Sequence, residues 1–260
     1  MRGIIMAGGL GSRLSPLTNV TNKHLLPIYD KPLIYYPLTT LMLAGIRDIL
    51  LISSPLEIPK FQQLLGDGSE FGINLNYLHQ EKPAGIAQGI TLAEDFVKNH
   101  KVALILGDNI FHGSGLGRQL GSFKSIEGAH IFAYKVRDPH NYGVVEIDDD
   151  GKVISIEEKP STPKSNLAIP GLYFFDELAL YYAQELKPSA RGELEITDLN
   201  KKYLEQGNLQ ATILSQGTAW LDCGTFEGLH DASSYIRIVE QRQNSRIGDP
   251  LTVSKVQNWQ

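Results

Sequence analysis

Gly3-Ile4-Ile5-Met6-Ala7-Gly8-Gly9-Leu10-Gly11-Ser12-Arg13-Leu14 carries an apolar run that breaks into three glycines within four positions and then meets an arginine. The run from Gly3 to Ala7 predicts a short buried strand, and the glycines predict a tight turn after it. Without a Cβ, glycine lets backbone N–H groups approach a bound group and turn towards it. Several N–H groups facing one concavity favour an anion, and the planar guanidinium of Arg13 matches phosphate oxygens. Lys23, in Thr21-Asn22-Lys23-His24, adds a second cation suited to charge building on a leaving pyrophosphate. The plain alternative is a strand-to-helix turn with no ligand. Two familiar motifs fail on spacing. The stretch has no GxxxxGK[ST], and Leu14 stands where a dinucleotide fingerprint needs its third glycine.

Outward from this stretch, strands and helices alternate. Residues 33–44 place apolar side chains at helical spacing between Pro32, suited to a first turn, and Gly45, a stop. Residues 48–53 predict a buried strand, which completes a βαβ unit with a parallel pair. A helix at 61–65, a strand at 75–80, an amphipathic helix over 85–97 and an apolar strand at 102–106 follow, the last running into Gly107-Asp108-Asn109. The middle changes character. Strands are predicted at 131–134, 143–147 and 152–156, with a turn at Asp148-Asp149-Asp150-Gly151. Then come a strand at 172–175, helices at 177–186 and 196–206, a strand at 211–214 and a long helix over 226–242. From about Ser245 the chain is polar without clear periodicity. The fold class is α/β: one domain over 1–242 with a mostly parallel sheet and an antiparallel excursion, and a short C-terminal tail at 243–260. Ligands in such sheets bind at the carboxyl ends of the parallel strands.

Composition bounds the function. The chain has 260 residues, 42% hydrophobic and 20% charged, which is the balance of an ordered globular protein. A net charge of −5 argues against DNA or RNA as the main partner. Cys223, the single cysteine, excludes an intramolecular disulfide and a Cys-rich zinc site, and it reads as a packing residue. The first apolar run is too short for a signal-peptide core, and none approaches the ~20 residues of a membrane span. The expected location is cytoplasmic.

Several side chains carry two readings each. Asp108, after the most apolar strand, suits Mg²⁺, which takes oxygen ligands and keeps substrate phosphates in its shell; it also suits an ordinary turn. Asp222, before the last long helix, is a second metal carboxylate or part of that helix's capping turn, and the residue types alone favour the cap. Glu157-Glu158-Lys159-Pro160 is a sugar- and phosphate-binding loop or a solvated charge run. Tyr142-Gly143 offers a backbone N–H to a hydroxyl or merely turns into the next strand. Gln80 can read a base edge, having both donor and acceptor, or be a surface glutamine. The seven histidines show no metal spacing, and no Ser-His-Asp pattern suggests a hydrolase.

Taken together these pieces form a recognisable series. GGLGSRL, Thr21-Asn22-Lys23, Lys31-Pro32-Leu33-Ile34, Pro83-Ala84-Gly85-Ile86-Ala87-Gln88, Gly107-Asp108-Asn109, Asn141-Tyr142-Gly143-Val144, Glu157-Glu158-Lys159-Pro160, Gly171-Leu172-Tyr173, the run from Arg191 to Asp198 and Trp220-Leu221-Asp222 occur in this order. Each is weak alone, but the series from Met1 to about Arg242 strongly resembles the glucose-1-phosphate thymidylyltransferases. The resemblance implies a three-layer, Rossmann-like fold of the nucleotide-diphospho-sugar transferase type. It implies Mg²⁺-dependent transfer of a thymidylyl group from dTTP to glucose 1-phosphate, giving dTDP-glucose for deoxysugar, chiefly rhamnose, synthesis. By motif, Gly8, Gly9, Gly11, Ser12 and Arg13 would hold the nucleotide phosphates, and Lys23 would face the reacting groups. Gln80, Pro83 and Gly85 would serve the thymine, and Asp108 and Asp222 the Mg²⁺. Asn109, Tyr142, Gly143, Glu158, Ile169 and Tyr173 would line the sugar, with Lys159 on its phosphate. The family implies a homo-oligomer, tetramer or dimer.

Three departures stand out. Cys223 and Pro170 each replace the family's usual threonine, and proline removes a backbone donor near the sugar. The chain also ends at Gln260, short of a further helical segment that helps form a regulatory nucleotide site in longer members. This predicts weak or absent feedback inhibition by dTDP-rhamnose through that site. The nearest alternatives are uridylyl or cytidylyl transfer by the same chemistry, and a binding protein that keeps the fold without turnover.

Overall fold

The computed structural model describes residues 1–259. The chain divides into two compact units. Named by position along the chain, an outer unit comprises Gly3–Lys82, Ile105–Ser122 and the stretch from Gly217 onward; a central unit comprises Pro83–Leu104, Phe123–Gln216 and the first two residues.

The outer unit begins with β1 (Arg2–Met6), the glycine loop, a two-residue pairing of β2 (Pro27–Ile28) with β3 (Lys31–Pro32), α1 (Tyr35–Leu43), β4 (Asp48–Ser53), α2 (Ile58–Leu65) and β5 (Asn74–His79). β1 pairs in parallel with β4, and β4 with β5, which is the expected βαβ arrangement. Ile4, Ile5, Ile49, Leu51 and Ile52 are fully buried. Parallel strands covered on both faces need such continuous apolar runs. The helix expected over 33–44 starts at Tyr35 because Pro32 is held opposite Pro27 in the β2–β3 pairing. The first-turn proline is therefore Pro37, where no intrahelical N–H bond is lost.

The chain enters the central unit with α3 (Gln88–Leu92) and α4 (Glu94–Val97), then β6 (Val102–Leu106), whose residues divide between the units. The single helix expected over 85–97 is two short ones. Gly85 has φ +102, incompatible with a helical turn, and Ala93 leaves helical geometry at ψ 20. The outer unit then gains β7 (Asn109–Gly113) and α5 (Leu116–Gly121), neither expected from the sequence. The central unit continues through β8 (Ala129–Lys135), β9 (Gly143–Ile147), β10 (Val153–Glu158), β11 (Leu167–Ala168), β12 (Leu172–Phe175), α6 (Ala179–Gln184), α7 (Ile196–Glu205) and β13 (Leu209–Ile213). Its sheet runs β10-β9-β11-β8-β12, with β13 also on β8. β9 and β10 form an antiparallel hairpin across the Asp148–Gly151 turn, and β13 lies parallel to β8. The antiparallel excursion expected in the second half is this unit.

β14 (Thr218–Asp222), α8 (Phe226–Gln243) and α9 (Pro250–Val256) complete the outer unit. β14 pairs antiparallel with β7, setting Asp222 opposite Asn109 and Trp220 opposite Phe111. α8 closes over a core containing Ile28, Leu33, Tyr36, Ile110, Cys223 and Ile236, so Cys223 packs as expected. The stretch from about Ser245, expected to lack periodicity, carries α9. Gln257 Nε2 donates to the Met42 and Leu43 carbonyls at 3.3 Å, and the Arg47 guanidinium lies 5.4 Å from the Trp259 ring centre. α9 also lines an apolar cavity of about 260 Å³ with Tyr36, Phe111, Leu116 and Ile247.

In the central unit His130 is buried among Phe123, Phe132 and Phe174, with Nε2 2.9 Å from Thr212 Oγ1. Burial pushes its pKa down to about 4, against an opposing contribution from Gln210. A native pKa below the unfolded 6.5 means that the unfolded chain takes up the proton first as pH falls. Stability is therefore unaffected above about pH 6.5 and is lost from there down to about pH 4, by about 3 kcal/mol. We expect His130→Gln to flatten this part of the melting-temperature profile; a slope equal to that of the unaltered protein would show that His130 does not contribute it.

Candidate active site

In the outer unit the expected residues gather at the carboxyl ends of the parallel strands. Ala7, after β1, donates its N–H to Ile52 O at 2.8 Å and accepts from Ser53 Oγ at 2.8 Å; Gln80 N–H, after β5, donates to Ser53 O at 2.8 Å. This chain of bonds brings Gly8 against Gln80. A Cβ on Gly8 would overlap Gln80 Oε1, so the amide end of Gln80 lies directly against the loop and would have to move for any larger residue. Gln80 is buried, not the surface residue that was one of its two readings. Lys23 folds back under the loop, its Nζ 3.4 Å from where a Gly9 Cβ would lie. Arg13 reaches Gly224, whose Cβ position is 2.7 Å from the guanidinium. Ser12 starts the 3-10 turn that carries Arg13.

Lys23 Nζ pairs with Asp108 Oδ2. Asp108 follows β6 and is almost fully buried. Burial disfavours its charge, but the neighbouring Lys23 overrides this and holds the carboxyl below the usual range. Asn109 Nδ2 donates to Asp108 Oδ1 at 3.0 Å. His24 wedges beside this pair. Its ring touches the Gly107 Cβ position at 2.7 Å, and its Nδ1 is 2.6 Å from Asn22 Oδ1. Burial, then the Lys23 charge, pushes its pKa down to about 3, so it is neutral and structural.

Asp222 ends β14, and the next N–H, of Cys223, donates to Asp108 O at 2.9 Å. The strand pairing thus brings the second carboxylate to the first. Asp222 does not cap α8; that role falls to Thr225, whose Oγ1 accepts from Gly228 N–H at 3.1 Å. Burial, then the charge of Asp108, raises the Asp222 pKa above the usual carboxylate range, with Lys23 and Arg13 opposing. Among the described residues no three acidic, histidine or cysteine side chains form a self-sufficient metal cage. Two carboxylates at odds with each other do suit a hard divalent cation that draws its other ligands from water and phosphate.

The central unit brings together a second set. The loop holding Pro83 and Gly85 is fixed to the stretch before α7: Leu194 N–H donates to Ala84 O at 2.7 Å and Ala87 N–H to Leu194 O at 3.1 Å. A Gly85 Cβ would overlap the Leu194 backbone. Gln88 Oε1 braces the same loop by accepting from Ala84 N–H at 2.9 Å. Glu158, at the end of β10, accepts from Thr197 Oγ1 at 2.6 Å and lies 3.5 Å from the Arg191 guanidinium. The Gly143 Cβ position is 3.4 Å from Glu158 Oε2 and Thr197 Oγ1 and 3.6 Å from Ile169 Cδ1, so these four residues converge. Tyr173 is buried and feels the Glu158 charge, which adds to burial in raising its pKa. Ile169 N–H donates to Gly143 O at 2.7 Å. Lys159 has φ +44, its N–H donating to Tyr142 O at 3.0 Å, a left-handed conformation that side-chain-bearing residues seldom adopt.

Gln80 belongs to the outer unit, and Pro83 and Gly85 to the central unit. Within the outer unit, Asn109 sits against Asp108. Sequence reasoning gave no role to Thr197, Arg191, Gln88 or Trp220. All four lie in motifs that supported the resemblance, but the partners of Thr197, Arg191 and Trp220, which are Glu158 for the first two and Asn109 for the third, are distant in sequence.

A family model described as nucleotidyl transferase matches residues 2–238. The chain belongs to the nucleotidyl transferase family. It is 56% identical to a glucose-1-phosphate thymidylyltransferase of Mycolicibacterium smegmatis, over 98% of this chain and 88% of the relative. A glucose-1-phosphate thymidylyltransferase of Neisseria gonorrhoeae is 54% identical over 95% of this chain and 86% of its own. Among solved structures, a Bacillus anthracis protein assigned as a glucose-1-phosphate thymidylyltransferase, in complex with sucrose, superposes with a TM-score of 0.86. It is 42% identical and covers 97% of this chain and 99% of its own.

The carboxylate pair makes a measurable signature. In metal-free protein labelled with ¹³C at the aspartate carboxyls, we expect Asp222 to titrate above the usual range and to fall when Asp108→Asn removes the neighbouring charge. An Asp222 titration indifferent to that substitution would mean that the two carboxylates do not interact.

Proposed function

We propose that this chain transfers a thymidylyl group from dTTP to glucose 1-phosphate, releasing pyrophosphate and dTDP-glucose, which feeds deoxysugar synthesis. The observation that carries this reading is the joint one: near-full-length identity of 56% to a thymidylyltransferase, together with Lys23, Asp108 and Asp222 at one end of a glycine loop. The reaction is a displacement at the α-phosphorus. A phosphate oxygen of glucose 1-phosphate forms the new P–O bond, the bond to the β-phosphate breaks, and pyrophosphate leaves with the electron pair.

The attacking phosphate is already ionised at neutral pH, so no strong general base is required. Placement in line and screening of phosphate repulsion are what accelerate such a step. The assigned roles follow from that need. Gly8, Gly9, Gly11 and Ser12 supply backbone donors to the triphosphate, and Arg13 balances charge on the departing pyrophosphate. Lys23 faces the reacting groups. Gln80, Pro83 and Gly85 serve the thymine. Tyr142, Gly143, Glu158, Ile169 and Tyr173 serve the sugar, to which Thr197 contributes by orienting Glu158. Lys159 binds the sugar phosphate. Asn109 serves Asp108. Asp108 and Asp222 fit Mg²⁺, all-oxygen donors whose mutual repulsion a cation relieves. When bound, the ion neutralises phosphate charge. The enzyme works as a homo-oligomer, dimer or tetramer. Among the described residues no helix is long and apolar enough to cross a membrane.

Pyrophosphate release measured across dTTP, UTP and CTP, with glucose 1-phosphate and other sugar phosphates, tests the substrate assignment. We expect dTTP with glucose 1-phosphate to give the highest kcat/KM; a clear preference for CTP would overturn the assignment. Lys159→Ala should raise KM for glucose 1-phosphate more than KM for dTTP, and the reverse pattern would exchange the subsites.

A further inference from the structure

Trp220 carries no role in the chemistry above, yet it is tied to the acidic centre through a buried polar chain. It lies on β14 opposite Phe111, two positions before Asp222, and is almost fully buried. Its Nε1–H donates to Asn109 Oδ1 at 2.7 Å, and Asn109 Nδ2 donates in turn to Asp108 Oδ1 at 3.0 Å. The other oxygen of that carboxylate, Oδ2, receives the Lys23 ammonium. Asn109 is itself only 2% exposed, so water does not readily replace either bond.

The chemistry at the two ends permits one arrangement of the amide between them. An indole nitrogen only donates, and an ionised carboxylate only accepts. Asn109 must therefore turn its oxygen to Trp220 and its nitrogen to Asp108. Reversal would set carbonyl oxygen against carboxylate and NH₂ against N–H. Buried bonds of this kind reinforce one another, because the surroundings screen them little. Without the indole N–H, the attraction of Asp108 still orients the amide nitrogen, but the amide oxygen loses this bond. The amide plane, and the carboxylate it steadies, is then held by one bond of this chain fewer.

We propose that Trp220 is a positioning residue for the cation site: its N–H locks the Asn109 amide, which fixes the plane in which Asp108 offers its carboxylate. This rests on the assignment of Asp108 to the cation. Groups that orient a metal ligand change metal affinity by about 10- to 100-fold when removed, so the effect is separable from loss of the ligand itself.

The test uses the full chain without substrates and reads Mn²⁺ binding by electron paramagnetic resonance. The protein has two tryptophans. In a Trp259→Phe background, both the unaltered indole and benzothienylalanine, which replaces the N–H by sulfur at nearly the same volume, are placed at position 220. Trp220→Phe is the second variant. We expect the sulfur analogue to bind Mn²⁺ about tenfold more weakly at an unchanged melting temperature, Trp220→Phe to show a loss of at least that size, and Asp108→Asn to bind more weakly still. If Asp108→Asn loses Mn²⁺ but the sulfur analogue binds as the indole protein does, the positioning role is overturned and the cation assignment stands. If Asp108→Asn binds as tightly as the unaltered protein, the cation assignment fails and takes the positioning role with it.

Discussion

The ion pair of Lys23 with Asp108 is the interaction on which the outer unit's site depends. Both groups are largely withdrawn from water, and a buried charge without a partner is strongly destabilising. The pair lets an ionised carboxylate stand at the end of an apolar strand. That charge then acts on what lies near it. It raises the pKa of Asp222, and it aligns the Asn109 amide. The antiparallel β7–β14 pairing makes this arrangement obligatory, because the register that pairs Asp222 with Asn109 also sets Cys223 N–H on the Asp108 carbonyl. Two acidic groups far apart in sequence are held together by backbone bonds rather than by attraction, and their mutual repulsion is available to a cation.

The central unit meets a parallel constraint. Glu158 ends an edge of the β9–β10 hairpin, and its carboxylate is held by Thr197 from α7 and by Arg191. Arg191 is gripped by Glu195, to which its NH2 donates at 2.8 Å, while Ser189 Oγ donates to the same carboxylate at 2.7 Å. The stretch from Ser189 to Thr197 therefore braces Glu158 and, through Leu194, the loop of Gly85. One short segment positions both the loop assigned to the base and the carboxylate assigned to the sugar.

Much of this was legible in the residues. β4, β6, β9 and β12 span the ranges read from the sequence; β4, β6 and β12 are buried and apolar along nearly their whole length, and β9 carries a pair of buried valines. The glycine loop, Arg13, Lys23 and Asp108 were singled out by residue type and by position at strand ends. What was not legible depended on partners. β7 and β14, Asn109-Ile110-Phe111-His112-Gly113 and Thr218-Ala219-Trp220-Leu221-Asp222, gave no strand signal because neither is continuously apolar and neither alternates cleanly, and each pairs with the other across a long stretch of chain. The late start of α1 followed from the pairing of Pro32 with Pro27.

Asp222 shows where the division falls. Local chemistry made it a cap, since an acidic residue just ahead of a helix commonly is one, but Thr225 took that position and left Asp222 to face Asp108. The sequence by itself determined most of the order of strands and helices, though not β7, α5, β14 or α9, together with the glycine-rich loop and the kinds of side chain available for phosphate chemistry. These depend on backbone propensity, periodicity and residue type, which are local. The tertiary structure alone decided that Asp222 meets Asp108, that Thr197 meets Glu158, and that Trp220 reaches Asp108 through Asn109. Those pairings depend on strand register and burial, which no local stretch of sequence contains.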